Sequence, residues 1–73
     1  MNNIEKEVIE IVRKAINGSE NIDLDSSNKN IKKWDSLAHI KIVMMIEKKY
    51  KKIKTSDISE LDSVKKIISF LQT

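Results

Sequence analysis

The chain contains no cysteine, no proline, one glycine and only three aromatic residues among its 73. Without cysteine there is no disulfide framework and no thiolate metal site, and the composition fits a reducing compartment, so a cytoplasmic location is expected. With one histidine and scattered carboxylates, no metal centre is expected either. Long apolar stretches are missing: the longest run, Ile42 to Ile46, falls well short of the roughly 18 residues of a membrane span. Acidic and basic residues interleave at the N-terminus instead of forming a basic segment before an apolar one, so no signal peptide is expected. No repeat, low-complexity tract or linker divides the chain, which reads as a single domain over 1–73 and as a monomer. A core of this size supplies only about 3–5 kcal/mol of net stability.

Charge is present but unevenly placed. The net charge is +3, yet residues 36–54 hold six lysines against one glutamate, while the segments on either side each carry one more acid than base. A cationic segment of this kind points to a surface with a charged partner; the alternative is a set of simply solvated lysines.

Apolar periodicity gives the secondary structure. Ile4, Val8, Ile11, Val12 and Ala15 repeat at helical spacing, predicting a first helix over about 3–16. Asn2 is placed to cap it, with Glu5 in a capping-box position, and Gly18 to end it after Asn17. Residues 17–35 form a long polar connection in which Ile22, Leu24, Ile31 and Trp34 are spaced to pin it to the body of the domain. A second helix is expected from about Ser36 to Tyr50 or slightly beyond, with Asp35 as N-cap. A short turn follows from Thr55 or Ser56 through Ile58, and then a last helix capped by Asp62 and carrying Val64, Ile67, Ile68 and Leu71. No segment alternates at period two. The fold class is therefore all-α: three main helices, one short helix and a long first loop.

The second helix has two apolar faces. His39, Val43, Ile46 and Tyr50, with Ile42 beside them, form the predicted core face. Leu37, Lys41, Met44, Lys48 and Lys51 form a second stripe that begins next to Ser36. Leu37, Lys41, Met44 and Lys48 are the candidate partner-binding residues, a mixture suited to an apolar groove with an acidic rim. The alternative makes Leu37 and Met44 core residues whose edges are covered by lysine stems.

The segment WDSLAHI places Asp35, Ser36 and Leu37 at the opening of this helix. In that position, and in a chain of this length and pattern, the motif resembles the acyl carrier protein family, and the resemblance extends over essentially the whole chain, including the downstream VMMIEKKY. The resemblance implies a four-helix bundle in which Ser36 receives 4′-phosphopantetheine from coenzyme A by a phosphopantetheinyl transferase. Asp35 would help that enzyme recognise the site and Leu37 would make an apolar contact. The arm's thiol would carry an acyl or aminoacyl group as a thioester between loading enzymes and downstream transferases, the chain itself being no enzyme. A serine suits this role because its hydroxyl forms the phosphodiester and a helix N-terminus favours phosphate. Two departures from the family's usual pattern matter. Trp34 stands where many fatty-acid carriers have glycine or alanine, and WDSL looks more like stand-alone carriers of specialised pathways: polysaccharide modification, polyketides or nonribosomal peptides. The second helix is basic where the family's is usually acidic, which implies dedicated partners with acidic surfaces.

Other classes fit less well. Asp35, Ser36 and His39 contain the residue types of serine catalysis, but their spacing does not make a triad, and a glycine-poor helix start offers no evident oxyanion hole. No catalytic residue is assigned. Lys48, Lys49, Lys51, Lys52 and Lys54 around Tyr50 suggest a basic helical nucleic-acid-binding domain as the main alternative. Arg13 is the only arginine, however, so bidentate base readout is poorly served and no nucleic-acid partner is expected. A cofactor-free adaptor using the same helix is the remaining option.

Overall fold

The structure, a computed structural model, describes residues 3–16 and 21–72, so the proposed caps Asn2 and Gly18 lie outside the described residues. Four helices follow in chain order: α1 (Asn3–Ala15), α2 (Ser36–Lys49), α3 (Thr55–Ile58) and α4 (Val64–Gln72). No strand forms among the described residues; a single isolated antiparallel bridge joins Ser27 to Ser63. The predicted all-α fold and the order of its elements are observed.

α1 packs against both α2 and α4. Its helical stripe buries Val8, Ile11, Val12 and Ala15, and Ile16 continues the stripe in the turn beyond. Against these lie Ala38, Ile42, Val43 and Ile46 of α2, Val64, Ile67 and Ile68 of α4, and Trp34, Ile53 and Leu61 from the connections. The Cα radius of gyration is 10.9 Å, as compact as a chain of this length should be at about 11 Å.

Polar contacts fix how these elements meet. The Tyr50 hydroxyl donates to the Glu7 carboxylate, and the same side chain pairs with Lys49 Nζ at 3.3 Å, tying the end of α2 to α1. Ile53 N–H donates to Glu47 at 2.9 Å and holds the chain as it leaves α2. Arg13 donates to Glu10, and that hydrogen bond holds the Glu10 carboxyl below its ordinary range. Both groups are exposed, where such pairs add little to stability.

Two expectations need correction here. α4 is capped by Ser63, not Asp62: Lys66 N–H donates to Ser63 Oγ at 3.2 Å and Ile67 N–H to the Ser63 carbonyl at 3.1 Å. Asp62 instead accepts from Asn28 N–H through its carbonyl (2.9 Å) and pairs with Lys66 through its carboxylate (3.3 Å). Lys51 falls beyond α2, and its ammonium lies over the Phe70 ring, 4.5 Å from the centroid, so it does not extend the basic stripe. A free-energy difference between α2 positions tests this packing. Ile46→Ala, at a fully buried site, is expected to destabilise by about 2–5 kcal/mol, comparable with the whole stability of so small a domain. Ile40→Ala, at an exposed site, is expected to cost no more than about 0.5 kcal/mol. Urea melts followed by circular dichroism read both.

Candidate functional site: the turn that opens α2

The approach to α2 is built by local polar bonding, because the connection has few apolar groups to order it. Asp23 Oδ1 accepts from Asp25 N–H at 2.9 Å and from the Ser26 hydroxyl at 3.3 Å. The buried Ser26 oxygen in turn accepts from Asp23 N–H at 2.9 Å. Asn30 then clasps the next turn, accepting from Ser27 N–H at 2.9 Å and donating to the Asp25 carbonyl at 3.0 Å. Hydrogen bonds from Asn28 N–H to Asp62 O (2.9 Å) and from Val64 N–H to Ser26 O (3.0 Å) dock this stretch on the start of α4. The long connection is thus turn-rich and cross-linked, and Ile22, Leu24 and Ile31 pack half-buried against the core as expected.

Trp34 ends the connection and is 3% exposed. Its indole N–H is a donor with no acceptor capacity, so burial requires a partner. His39 supplies it: Trp34 Nε1 donates to His39 Nδ1 at 3.1 Å, with the two rings stacked at 27° and 6.3 Å between centroids. Since Nδ1 accepts, the ring carries its proton on Nε2, which donates to the Ile58 carbonyl at 2.6 Å. One histidine therefore joins the turn before α2, α2 itself and the end of α3. The helical wheel places His39 and Tyr50 among the core residues. The structure leaves both half-buried, each spending its polar atoms on a link to another element, and buries the smaller Ala38 instead.

Asp35 is the N-cap of α2 as expected: in extended conformation (φ −94°, ψ −172°), its Oδ1 accepts from Ala38 N–H at 2.9 Å, and its carbonyl accepts from His39 N–H at 2.9 Å. Ser36 is the first helical residue, exposed, and its hydroxyl makes no hydrogen bond among the described residues. It stands at the N-terminus of a 14-residue helix, where unpaired backbone N–H groups and the helix dipole favour an anion. A groove of about 390 Å³ adjoins it, lined by Asn28, Trp34, Asp35, Ser36, His39, Ser59 and Asp62. Both ring nitrogens of His39 are engaged, by Trp34 and by Ile58, which leaves neither free to take the Ser36 proton.

Leu37, Lys41, Met44 and Lys48 are all exposed on α2, running away from Ser36. Ile40, which the wheel did not assign to this stripe, is exposed with them. Among the described residues no group of three or more His, Cys, Asp or Glu side chains is placed to hold a metal ion, and no helix is long and apolar enough to cross a membrane. Comparison with protein-family models, with curated proteins and with solved structures found no match.

Two substitutions separate the arms of the His39 link. Asn places a carbonyl oxygen near the Nδ1 position, and Gln places an amide nitrogen near Nε2. His39→Asn is therefore expected to keep the emission of the sole tryptophan, Trp34, while amide exchange at Asp57–Leu61 accelerates about tenfold or more. His39→Gln is expected to red-shift Trp34 emission with little change at α3. Identical behaviour of the two variants would show that the two bonds are not separable supports. Asp35→Ala is expected to cost about 1 kcal/mol through loss of the cap, read by the same urea melts.

Proposed function

We propose that the chain is a carrier protein that bears a 4′-phosphopantetheine arm on Ser36. The observation that carries the reading is the combination at one turn: an exposed hydroxyl with no hydrogen-bond partner among the described residues, on the first residue of a helix capped by Asp35, with Trp34 before it tied to His39 after it. A hydroxyl kept only for capping would be expected at the N-cap itself, with its oxygen turned to the backbone. Here Asp35 has that task, and Ser36 is left presented to solvent. The resemblance of WDSL and its setting to acyl carrier proteins supports the same conclusion.

The residues fit the group. In the loading step, Ser36 Oγ forms a bond to the phosphorus that carries pantetheine in coenzyme A. The pyrophosphate P–O bond breaks, 3′,5′-adenosine bisphosphate leaves, and the serine proton passes to a base on the transferase. Asp35, by capping α2, would keep the backbone N–H groups of the helix N-terminus available to the phosphate of an arm on Ser36. Trp34 and His39 keep the turn from unwinding when that charge is added. When attached, the arm supplies a thiol that holds acyl or aminoacyl cargo as a thioester. The chain serves partner enzymes and performs no catalysis, consistent with a His39 that has no free ring nitrogen.

The WDSL motif and the basic α2 favour a dedicated biosynthetic pathway, of the polysaccharide-modifying, polyketide or nonribosomal-peptide kind, over bulk fatty-acid synthesis. A nucleic-acid-binding role is less well supported, since the lysines of 48–54 do not form one stripe: Lys49 pairs with Glu7 and Lys51 lies over Phe70.

Intact-protein mass spectrometry tests the reading after incubation with coenzyme A, magnesium and a broad-specificity phosphopantetheinyl transferase. The parent is expected to gain one phosphopantetheine and Ser36→Ala none, while both retain the same helical circular dichroism. Loading of Ser36→Ala would remove the assigned site.

A further inference from the structure

The Trp34–His39–Ile58 link depends on one lone pair. The indole N–H of Trp34 can only donate, and it reaches His39 Nδ1 at 3.1 Å. The side chain is buried, and no second acceptor for it is present among the described residues. His39 Nδ1 offers its lone pair only while the imidazole is neutral. In the imidazolium both ring nitrogens carry a proton, so an N–H would face an N–H and the bond to Trp34 is lost. The other arm responds in the opposite sense. Nε2–H still donates to the Ile58 carbonyl, 2.6 Å away, and a charged donor strengthens that bond. One protonation thus cuts the tie to the turn before α2 and tightens the tie to α3.

The surroundings of the ring admit a proton. His39 is half-buried and lines the open groove beside Ser36. The charged side chains in that lining are Asp35, from the turn before α2, and Asp62, from the segment between α3 and α4. Both carboxylates attract a positive ring, while Asp35 also accepts from Ala38 N–H and Asp62 pairs with Lys66. Asp57 of α3 and Glu60 just beyond it line a separate groove with Lys65 and Lys66. Lys33 and Lys41 line another, against Ile16 and Leu37. Among the described residues no lysine, no arginine and no α1 side chain lines the groove of His39.

We propose that His39 is an acid-operated latch: with its ring neutral it holds Trp34 in the core and the turn before α2 closed, and proton uptake releases Trp34 while α3 stays tied. The sign follows from the proton count. The closed turn requires the neutral ring and the open turn takes up one proton more, so falling pH favours opening. Trp34 leaves because a buried indole N–H without an acceptor is costly. Its departure removes the large side chain that seats the connection immediately before the Asp35 cap. The ordered presentation of Ser36 is thereby confined to the neutral state of the ring. An imidazole ordinarily changes charge at about pH 6.5 and side-chain carboxylates at about pH 4, so a change from pH 7.5 to pH 5.0 operates the ring and leaves most carboxylates ionised.

Emission of Trp34, the sole tryptophan, reads the latch directly. From pH 7.5 to pH 5.0 the parent is expected to red-shift, with acrylamide quenching raised about threefold or more and helical circular dichroism retained. His39→Asn, whose amide oxygen accepts from the indole at either pH, is expected to keep its emission fixed over the same range. His39→Gln is expected to be red-shifted already at pH 7.5. A parent whose emission does not move, or a His39→Asn that shifts as the parent does, would overturn the latch. A shift accompanied by loss of helix would overturn it too, since that is general acid unfolding. The consequence for Ser36 rests on the carrier reading and has its own measurement. The parent's kcat/KM for loading by a broad-specificity phosphopantetheinyl transferase is divided by that of His39→Asn, which cancels the transferase's own response to pH. The ratio is expected to fall about threefold or more between the same two pH values. A constant ratio with Trp34 released would overturn the control of Ser36. A parent that is never loaded would remove the carrier reading, and the emission measurements would still decide the latch.

Discussion

The burial of Trp34 with its indole N–H satisfied by His39 is the constraint on which the rest of the structure depends. The connection from α1 to α2 is rich in aspartate, asparagine and serine, which hydrogen-bond among themselves and make turns but provide little reason to stay against the core. One large side chain placed immediately before the α2 cap provides it. That burial is possible only because a histidine one turn into the helix accepts from the ring nitrogen, and the same histidine then has one proton left to hold the Ile58 carbonyl. α3 needs the tether: it has four residues, none of them buried, and no side-chain cap.

The turn that opens α2 is accordingly over-determined, and Ser36 is the residue within it that carries no structural load. Trp34 is packed, Asp35 caps, Ala38 is buried and His39 links. Ser36 and Leu37 point outward from this frame. A group attached at such a position changes little that the fold relies on, which is the property a modification site requires. α2 meets two demands at once: Ile42, Val43 and Ile46 complete the core, while Leu37, Ile40 and Met44 remain available outside it. A helix apolar on two sides is a poor choice for stability in a small domain.

Much of this was legible in the sequence, and the limits follow from the range of the forces. The stripes of α1 and α4 and the Asp35 cap are set by residues within a few positions of one another, so periodicity and capping preference located them. The cap of α4 was displaced by one residue because Asp62 and Ser63 are both good caps. Asp62 is engaged elsewhere, its carbonyl by the distant Asn28 N–H and its carboxylate by Lys66 four residues on. The Trp34–His39–Ile58 link spans 5 and 19 residues and leaves no periodic trace. A histidine one turn after a tryptophan was its only sign, and the wheel read that histidine as core. Ile40 was left unassigned, although the 100° step puts it on the face of Leu37 and Met44, where it is exposed. The exposed stripe of Leu37, Lys41, Met44 and Lys48 was legible because lysine heads seldom lie in a core, and only Lys51 was misplaced, since the helix ends before it.

The central claim is that Ser36 is presented for covalent modification. Its most direct test is the state of the chain isolated from its own cells, by intact mass and by fragmentation of the peptide containing Trp34, Asp35 and Ser36. The account predicts a population carrying one phosphopantetheine, located on Ser36 and released with the phosphodiester. A chain found only unmodified at Ser36 under conditions where its neighbouring genes are expressed would contradict it.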